Sequence, residues 1–184
     1  MEPILDLTYG KGKFWNRLRE LDVTRNDLHP LKGDVSEDFT ATCWPDRSWP
    51  TVVFDPPYSL RGAKSDEDFE DAYGLDRYRS HAEMRESIEA GTREACRISS
   101  RWVLVKTQDQ VSSYYLQSLT TWVINAALDS NARLVDSMHL LGGREQPKDR
   151  SQVRVRRGYS TMLVFKVKRP VKVKPEQLQL ETSS

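Results

Sequence analysis

Cysteine is scarce in this chain. Its 184 residues contain only Cys43 and Cys96, far apart in sequence. That spacing excludes a disulfide framework and a cysteine-based metal site, and it fits a reducing compartment. Histidine is nearly as rare, and His29, His81 and His139 follow no ligand or triad spacing, so they read as incidental. No apolar run is long enough for a membrane span, and the N-terminus lacks signal-peptide character. The expectation is a cytoplasmic protein that makes no use of the membrane. An excess of charge of one sign is missing too. Lys and Arg number 28 against 27 Asp and Glu, for a net charge of +1, so any nucleic-acid surface has to be local. The length suits one domain with a proper core rather than two. Residues 1–168 form that domain, and the polar stretch 169–184, with its two prolines, reads as a flexible tail.

What is present is organised around Thr51-Val52-Val53-Phe54-Asp55-Pro56-Pro57-Tyr58. The apolar run predicts a buried strand, which the prolines end because each lacks an N–H and fixes φ. Asp55 and Tyr58 are thereby presented on a stiff turn at a strand's C-terminal end, the edge where open α/β sheets bind ligands. Carbonyls remain on this turn while two amide donors are gone. Such an acceptor-rich corner suits a group that donates two hydrogens, for example an exocyclic amine, with Tyr58 flat against the ring that carries it. A plain proline-braced turn is the alternative.

Upstream, 4–12 runs from an apolar strand into Thr8-Tyr9-Gly10-Lys11-Gly12, and Phe14, Trp15, Leu18 and Leu21 then recur at helical spacing. Strand, Gly-x-Gly and helix open a Rossmann-type unit, in which glycine lets backbone approach a ligand. The third glycine of the dinucleotide fingerprint is absent. This argues against NAD and leaves other adenosine-containing cofactors open. A second short strand, 21–24, leads to Asp27, where an acid commonly meets a ribose; a simple turn aspartate is the alternative. Asp34 sits at the end of a possible third strand, and 36–50 reads as a short helical turn and loop.

The charged stretch 59–80 reads as a loop, either a lid or a solvated insertion. Met84, Ile88, Gly91, Ala95 and Ile98 predict a helix over 81–98, and Trp102 to Val105 a buried strand ending in Lys106-Thr107-Gln108-Asp109-Gln110. Apolar stripes predict another helix over 113–128, with Tyr115 among its core residues, and strands over 133–141 and 160–167. Between those strands, 142–159 carries Arg144, Lys148, Arg150, Arg154, Arg156 and Arg157 against Glu145 and Asp149. A basic loop of this kind suits phosphate contacts, and a solvated hairpin is the alternative. Val153 and Val155 would make part of it an edge ribbon.

Together, Asp6-Leu-Thr-Tyr-Gly-Lys-Gly12, Asp27, Asp34 and Asp55-Pro56-Pro57-Tyr58 resemble the S-adenosylmethionine-dependent amino-methyltransferases, which act on adenine N6 or cytosine N4. More closely, the chain resembles the small stand-alone DNA methyltransferase-like proteins of actinobacteria and their phages, over most of 3–167; Lys106 to Gln110 and Leu141 to Arg144 take part. The resemblance implies an α/β, Rossmann-like class I methyltransferase. Its sheet would be mostly parallel and seven-stranded, with one antiparallel C-terminal strand and helices on both faces. S-adenosylmethionine would lie over Asp6, Thr8, Tyr9, Gly10 and Gly12, with Asp27 on the ribose and Asp34 on the adenine amino group. Asp55 and the Pro56 carbonyl would accept the hydrogens of the target amine, and Pro57 would stiffen the turn. Tyr58 would stack on an extruded base. Lys106, Gln108 and the cations of 144–157 would contact nucleic acid, DNA ahead of RNA. No metal is needed.

Larger relatives carry a segment before the glycine loop that closes over the cofactor; only Met1, Glu2 and Pro3 precede Ile4 here, so Phe14 or Trp15 would take over. Without a target-recognition domain, specificity would come from the loops, a specificity subunit or a homodimer. Alternatives are an RNA or cytosine-N4 acceptor, a glutamine side-chain amide in protein, and a non-catalytic binding module of the same fold.

Overall fold

A computed structural model describes residues 2–18, 20–28, 32–58, 60, 78–112, 115–142 and 157–168. The loop 61–77, the tail from 169, and Arg144, Lys148, Arg150, Arg154 and Arg156 of the basic loop lie outside the described residues.

The chain builds β1 (Ile4–Asp6), β2 (Val23–Arg25), β3 (Trp49–Phe54), α1 (His81–Ile98) and β4 (Ser99–Thr107) in its first part. It continues with β5 (Gln110–Ser112), β6 (Tyr115–Gln117), α2 (Leu119–Asp129), β7 (Ala132–Leu141) and β8 (Tyr159–Val167). Six strands form one sheet in the order β2-β1-β3-β4-β8-β7, and β5-β6 form a separate hairpin. β2, β1, β3 and β4 pair in parallel, and β8 runs antiparallel to both β4 and β7. This is the α/β architecture expected of the sequence, with the antiparallel strand where it was placed.

Hydrophobic alternation sets the core. Val52 and Phe54 of β3, Val103 and Val105 of β4, and Leu163 and Phe165 of β8 face Met84, Ile88 and Ala95 of α1 and Leu119 and Val123 of α2. α1 begins at a capped end: Ser80 Oγ accepts the Glu83 N–H at 3.1 Å, and the Glu83 carboxylate accepts that of Arg79 at 2.7 Å. Gly91 lets this helix sit directly on β3, because a Cβ there would meet Phe54 at 2.5 Å and Phe39 at 2.7 Å. Pro50 cannot donate to the ladder, and the β3–β4 register shifts at that point, between Trp49 and Thr51. Burial pushes the Cys96 thiol up to about 12, which fits an inert core position. No helix among the described residues is long and apolar enough to cross a membrane.

Four expectations change. The helix after the glycine loop is a single 3-10 turn, Lys13–Trp15. Its start at Gly12 is left-handed with no side-chain cap, Trp15 turns inward, and Leu18 is left exposed. The strand at Asp34 reduces to an isolated bridge, Asn26 to Val35, so among the described residues the sheet has six strands rather than seven. The helix expected from 113 begins at Leu119, because the preceding residues pair as β5 and β6. Asp109 accepts the Thr120 N–H at 2.9 Å and marks the helix start, and Tyr115 lies exposed on the hairpin rather than in the core. Finally, α1 and α2 pack on one another and on the same face of the sheet. On the opposite face, the Trp15 turn packs against the end of β1 through its bond to Asp6.

Candidate active site

Asp6 ends β1 and Asp55 follows β3. The two strands are neighbours, with Asp6 in register with Val53, so both acids emerge at one edge. The glycine loop and the proline turn are then joined directly, because the Asp55 N–H donates to Thr8 Oγ1 at 2.9 Å. Gly10 and Gly12 carry φ of 56° and 65°, a left-handed backbone that glycine alone adopts without strain. The Gly10 N–H donates to Asp27 Oδ2 at 2.8 Å, which ties the loop to the end of β2. Tyr9 folds over Gly12, where a Cβ would strike its hydroxyl, and Arg25 lies 5.4 Å from the Tyr9 ring centre.

Asp6 is almost wholly buried and accepts hydrogen bonds from the Thr8 N–H at 2.9 Å and Trp15 Nε1 at 2.5 Å. Burial raises its carboxyl to about 6, the two hydrogen bonds oppose this, and the charges of Asp55 and Asp27 add to the rise. Three carboxylates therefore concentrate negative potential around the loop, although no three acids among the described residues form a metal-ligating group. Asp55 is also raised, chiefly by burial, with Lys106 acting against it. Lys106, from β4, donates to Asp55 Oδ2 at 2.6 Å. Oδ1 accepts no hydrogen bond among the described residues. Gln110 Nε2 donates to the Tyr58 carbonyl at 2.7 Å and braces the far end of the turn.

The edge thus brings together Asp6, Thr8, Tyr9, Gly10, Gly12, Asp27, Asp55 and the turn through Tyr58. Asp34 stands apart. It is bound by Arg25 through the backbone N–H at 3.0 Å, Nε at 2.9 Å and a further guanidinium contact, and these bonds hold its carboxyl down to about 2. Among the residues expected to meet nucleic acid, Lys106 points at Asp55, and Gln108 lies half-exposed in the β4–β5 turn. Arg157 has its Nε buried with no hydrogen-bond partner among the described residues.

Three contributors were not singled out from the sequence. Asn26 is fully buried, donates from Nδ2 to the Leu7 and Glu37 carbonyls, both at 3.0 Å, and accepts the Glu37 N–H at 2.8 Å. It clamps β1 to the β2 loop. Gln110 was visible as part of a polar strand end, without a role. Arg25 had no signal beyond its place before Asn26 and Asp27.

No protein-family model matches the chain, and no curated protein matches it either. Solved structures do. An S-adenosylmethionine-dependent methyltransferase from Methanosarcina mazei superposes with a TM-score of 0.54 at 9% identity, covering 90% of this chain and 92% of that one. Magnesium protoporphyrin IX methyltransferase from Synechocystis, with bound S-adenosylhomocysteine, gives a TM-score of 0.52 at 9% identity over 91% of this chain and 74% of that one. At such identities the likeness speaks to the fold, and the chain has the Rossmann-like fold of S-adenosylmethionine-dependent methyltransferases.

Proposed function

We propose that this chain transfers a methyl group from S-adenosylmethionine to an exocyclic amino group of a nucleic-acid base, with adenine N6 in DNA as the acceptor. The observation that carries this reading is the Thr8–Asp55 hydrogen bond. It makes a glycine loop and an acceptor-rich proline turn one rigid unit at the sheet edge where α/β folds bind ligands.

The residues fit the cofactor's chemistry. The charges of Asp27 and Asp55 both act on Asp6, and such a cluster favours a bound cation, here the sulfonium. Gly10 and Gly12 keep side chains out of the way of a close ligand. Asp27, already oriented by Gly10, would take the ribose hydroxyls. Asp34 could serve the adenine only by exchanging Arg25. When bound, S-adenosylmethionine supplies an electrophilic methyl with a neutral thioether leaving group.

The chain's own work falls on the turn. Asp55 Oδ1 and the Pro56 carbonyl accept the two amine hydrogens, draw the nitrogen towards a tetrahedral arrangement and stabilise its developing positive charge. The turn holds that nitrogen in place, so positioning supplies part of the rate. The nitrogen gains the methyl and loses a proton, and Asp55, whose burial raises its proton affinity, is placed to receive it. Tyr58 offers its ring to the extruded base. Lys106 seated on Asp55 favours one rival reading, a fold that binds but does not turn over.

The test offers labelled methyl donor to duplex DNA, single-stranded DNA, RNA and protein, and identifies modified nucleosides by mass. N6-methyladenine should appear, and Asp55→Ala should reduce transfer by about 100-fold or more. Equal transfer by the mutant would remove Asp55 from the mechanism. Absence of label from every pool would leave the rival reading.

A further inference from the structure

At the opposite end of the sheet, where the parallel strands begin, lies a groove of about 970 Å³. Arg47, Arg101, Arg133, Lys166 and Lys168 line it, with Glu2 as the one acid among its lining residues. These cations come from sequence positions up to 121 residues apart (168 − 47), and only sheet formation gathers them. Arg47 is fixed at the rim by donating to the carbonyls of Ser100 at 3.1 Å and Lys168 at 3.3 Å. Arg101 meets Glu2 at 3.5 Å with both side chains more than half exposed, a contact too long and too wet to cancel much charge.

A second observation points the same way. Arg133 and Lys166 face each other directly across the β7–β8 ladder, and like charges so placed destabilise a sheet. An anion shared between them would relieve that cost. On the next strand Trp102 is in register with Lys166, and both Lys166 and Arg101 approach its ring, at 5.6 and 5.7 Å from the centre. Cations around an aromatic ring are the elements with which proteins follow a nucleic-acid backbone. The same face, opposite α1 and α2, then carries the half-buried Leu104 and Lys106 along β4, to the ion pair with Asp55. From Ser100 to Lys106 is six residues of strand, or ~20 Å at ~3.3 Å each, about the rise of six base pairs.

We propose that this groove binds the phosphodiester backbone of a nucleic acid and anchors it on the sheet face opposite α1 and α2. The choice of nucleic acid over other polyanions rests on the proposed function; the charge arrangement does not. An anchor here adds sequence-independent affinity to a chain of net charge +1.

The test measures binding of a short labelled DNA duplex and its single strand by fluorescence anisotropy, between about 50 and about 200 mM salt. Each phosphate contact contributes about 0.9 to the log–log salt slope for duplex. Combined Arg101→Gln, Arg133→Gln and Lys166→Gln should flatten that slope by about three. Thermal melts check that the triple variant folds; if it does not, Arg133→Gln alone should lower the slope by about one. An unchanged slope overturns the groove. Competition by polyglutamate or inorganic phosphate as strong as that of unlabelled DNA at equal charge overturns the nucleic-acid assignment. Methylated nucleic acid with an unchanged slope sinks the groove and spares the transfer reaction. Groove-dependent binding without transfer to any acceptor does the reverse.

Discussion

At the C-terminal edge of the parallel strands, Asp6, Asp27 and Asp55 crowd closely enough to help lift the Asp6 carboxyl to about 6. At the N-terminal edge of the same sheet, five cations line a groove that holds a single acid. The two ends differ in burial as well as in sign. Asp6 and Asp27 are buried and tied to backbone amides or an indole, and Asp55 is held by Lys106, whereas Arg101 and Arg133 reach into solvent. A near-neutral chain can thus carry two strong fields of opposite sign, one suited to a small cationic ligand and one to an extended anion.

The acidic edge can be broken most heavily through Asp6. Its carboxyl rises from 3.8 to about 6 on folding, and the folded state therefore holds the proton more tightly. Stability falls as pH rises from about 4 to about 6, and ionised Asp6 costs about 3 kcal/mol at neutral pH. Asp6→Asn has no such titration. Melting curves across this range should show the Asn variant gaining on the native protein as pH rises, by up to about 3 kcal/mol. A difference independent of pH would mean that Asp6 is neither desolvated by its burial nor pressed by the charges of Asp55 and Asp27. S-adenosylmethionine should reduce the gain, since a cation among them favours the ionised form.

The rigidity of that edge depends on the covered face beneath it. Gly91→Ala would drive a methyl into Phe54 and Phe39, and overpacking of this kind costs about 1–3 kcal/mol. Urea denaturation should register the loss. Full stability would show that α1 can lift from β3 freely, and the support beneath Asp55 would then be soft.

The smallest change is at Lys106. It opposes the upward pull of burial on Asp55, so Lys106→Met should move the acidic limb of the transfer–pH profile to higher pH, with little change at its alkaline plateau. An unmoved limb would show that Asp55 is not the group whose ionisation limits the rate.

Much of this was legible in local pattern. The run before Asp55 forms β3, the period of Met84, Ile88, Gly91 and Ala95 lies on α1, and alternation marks β7 and β8. Apolar spacing after Gly12 misled, because Phe14, Trp15, Leu18 and Leu21 would line one face of a helix. In the folded chain Trp15 instead gives its indole N–H to Asp6 and Leu18 is exposed, so no continuous stripe is buried. β5 and β6 are three residues each, too short for a period to emerge.

Sequence alone determined what depends on neighbours along the chain: strand ends at prolines, a glycine loop with positive φ, one core's worth of alternating apolar residues. Tertiary structure decided what depends on residues far apart in sequence. Lys106 meets Asp55 across 51 positions, Arg25 claims Asp34 only when β2 turns back, and the cations of the groove converge only where strands from across the chain start side by side. Hydrophobic period is a local signal that the backbone imposes, whereas charge can reach its partner only after the sheet has chosen its order.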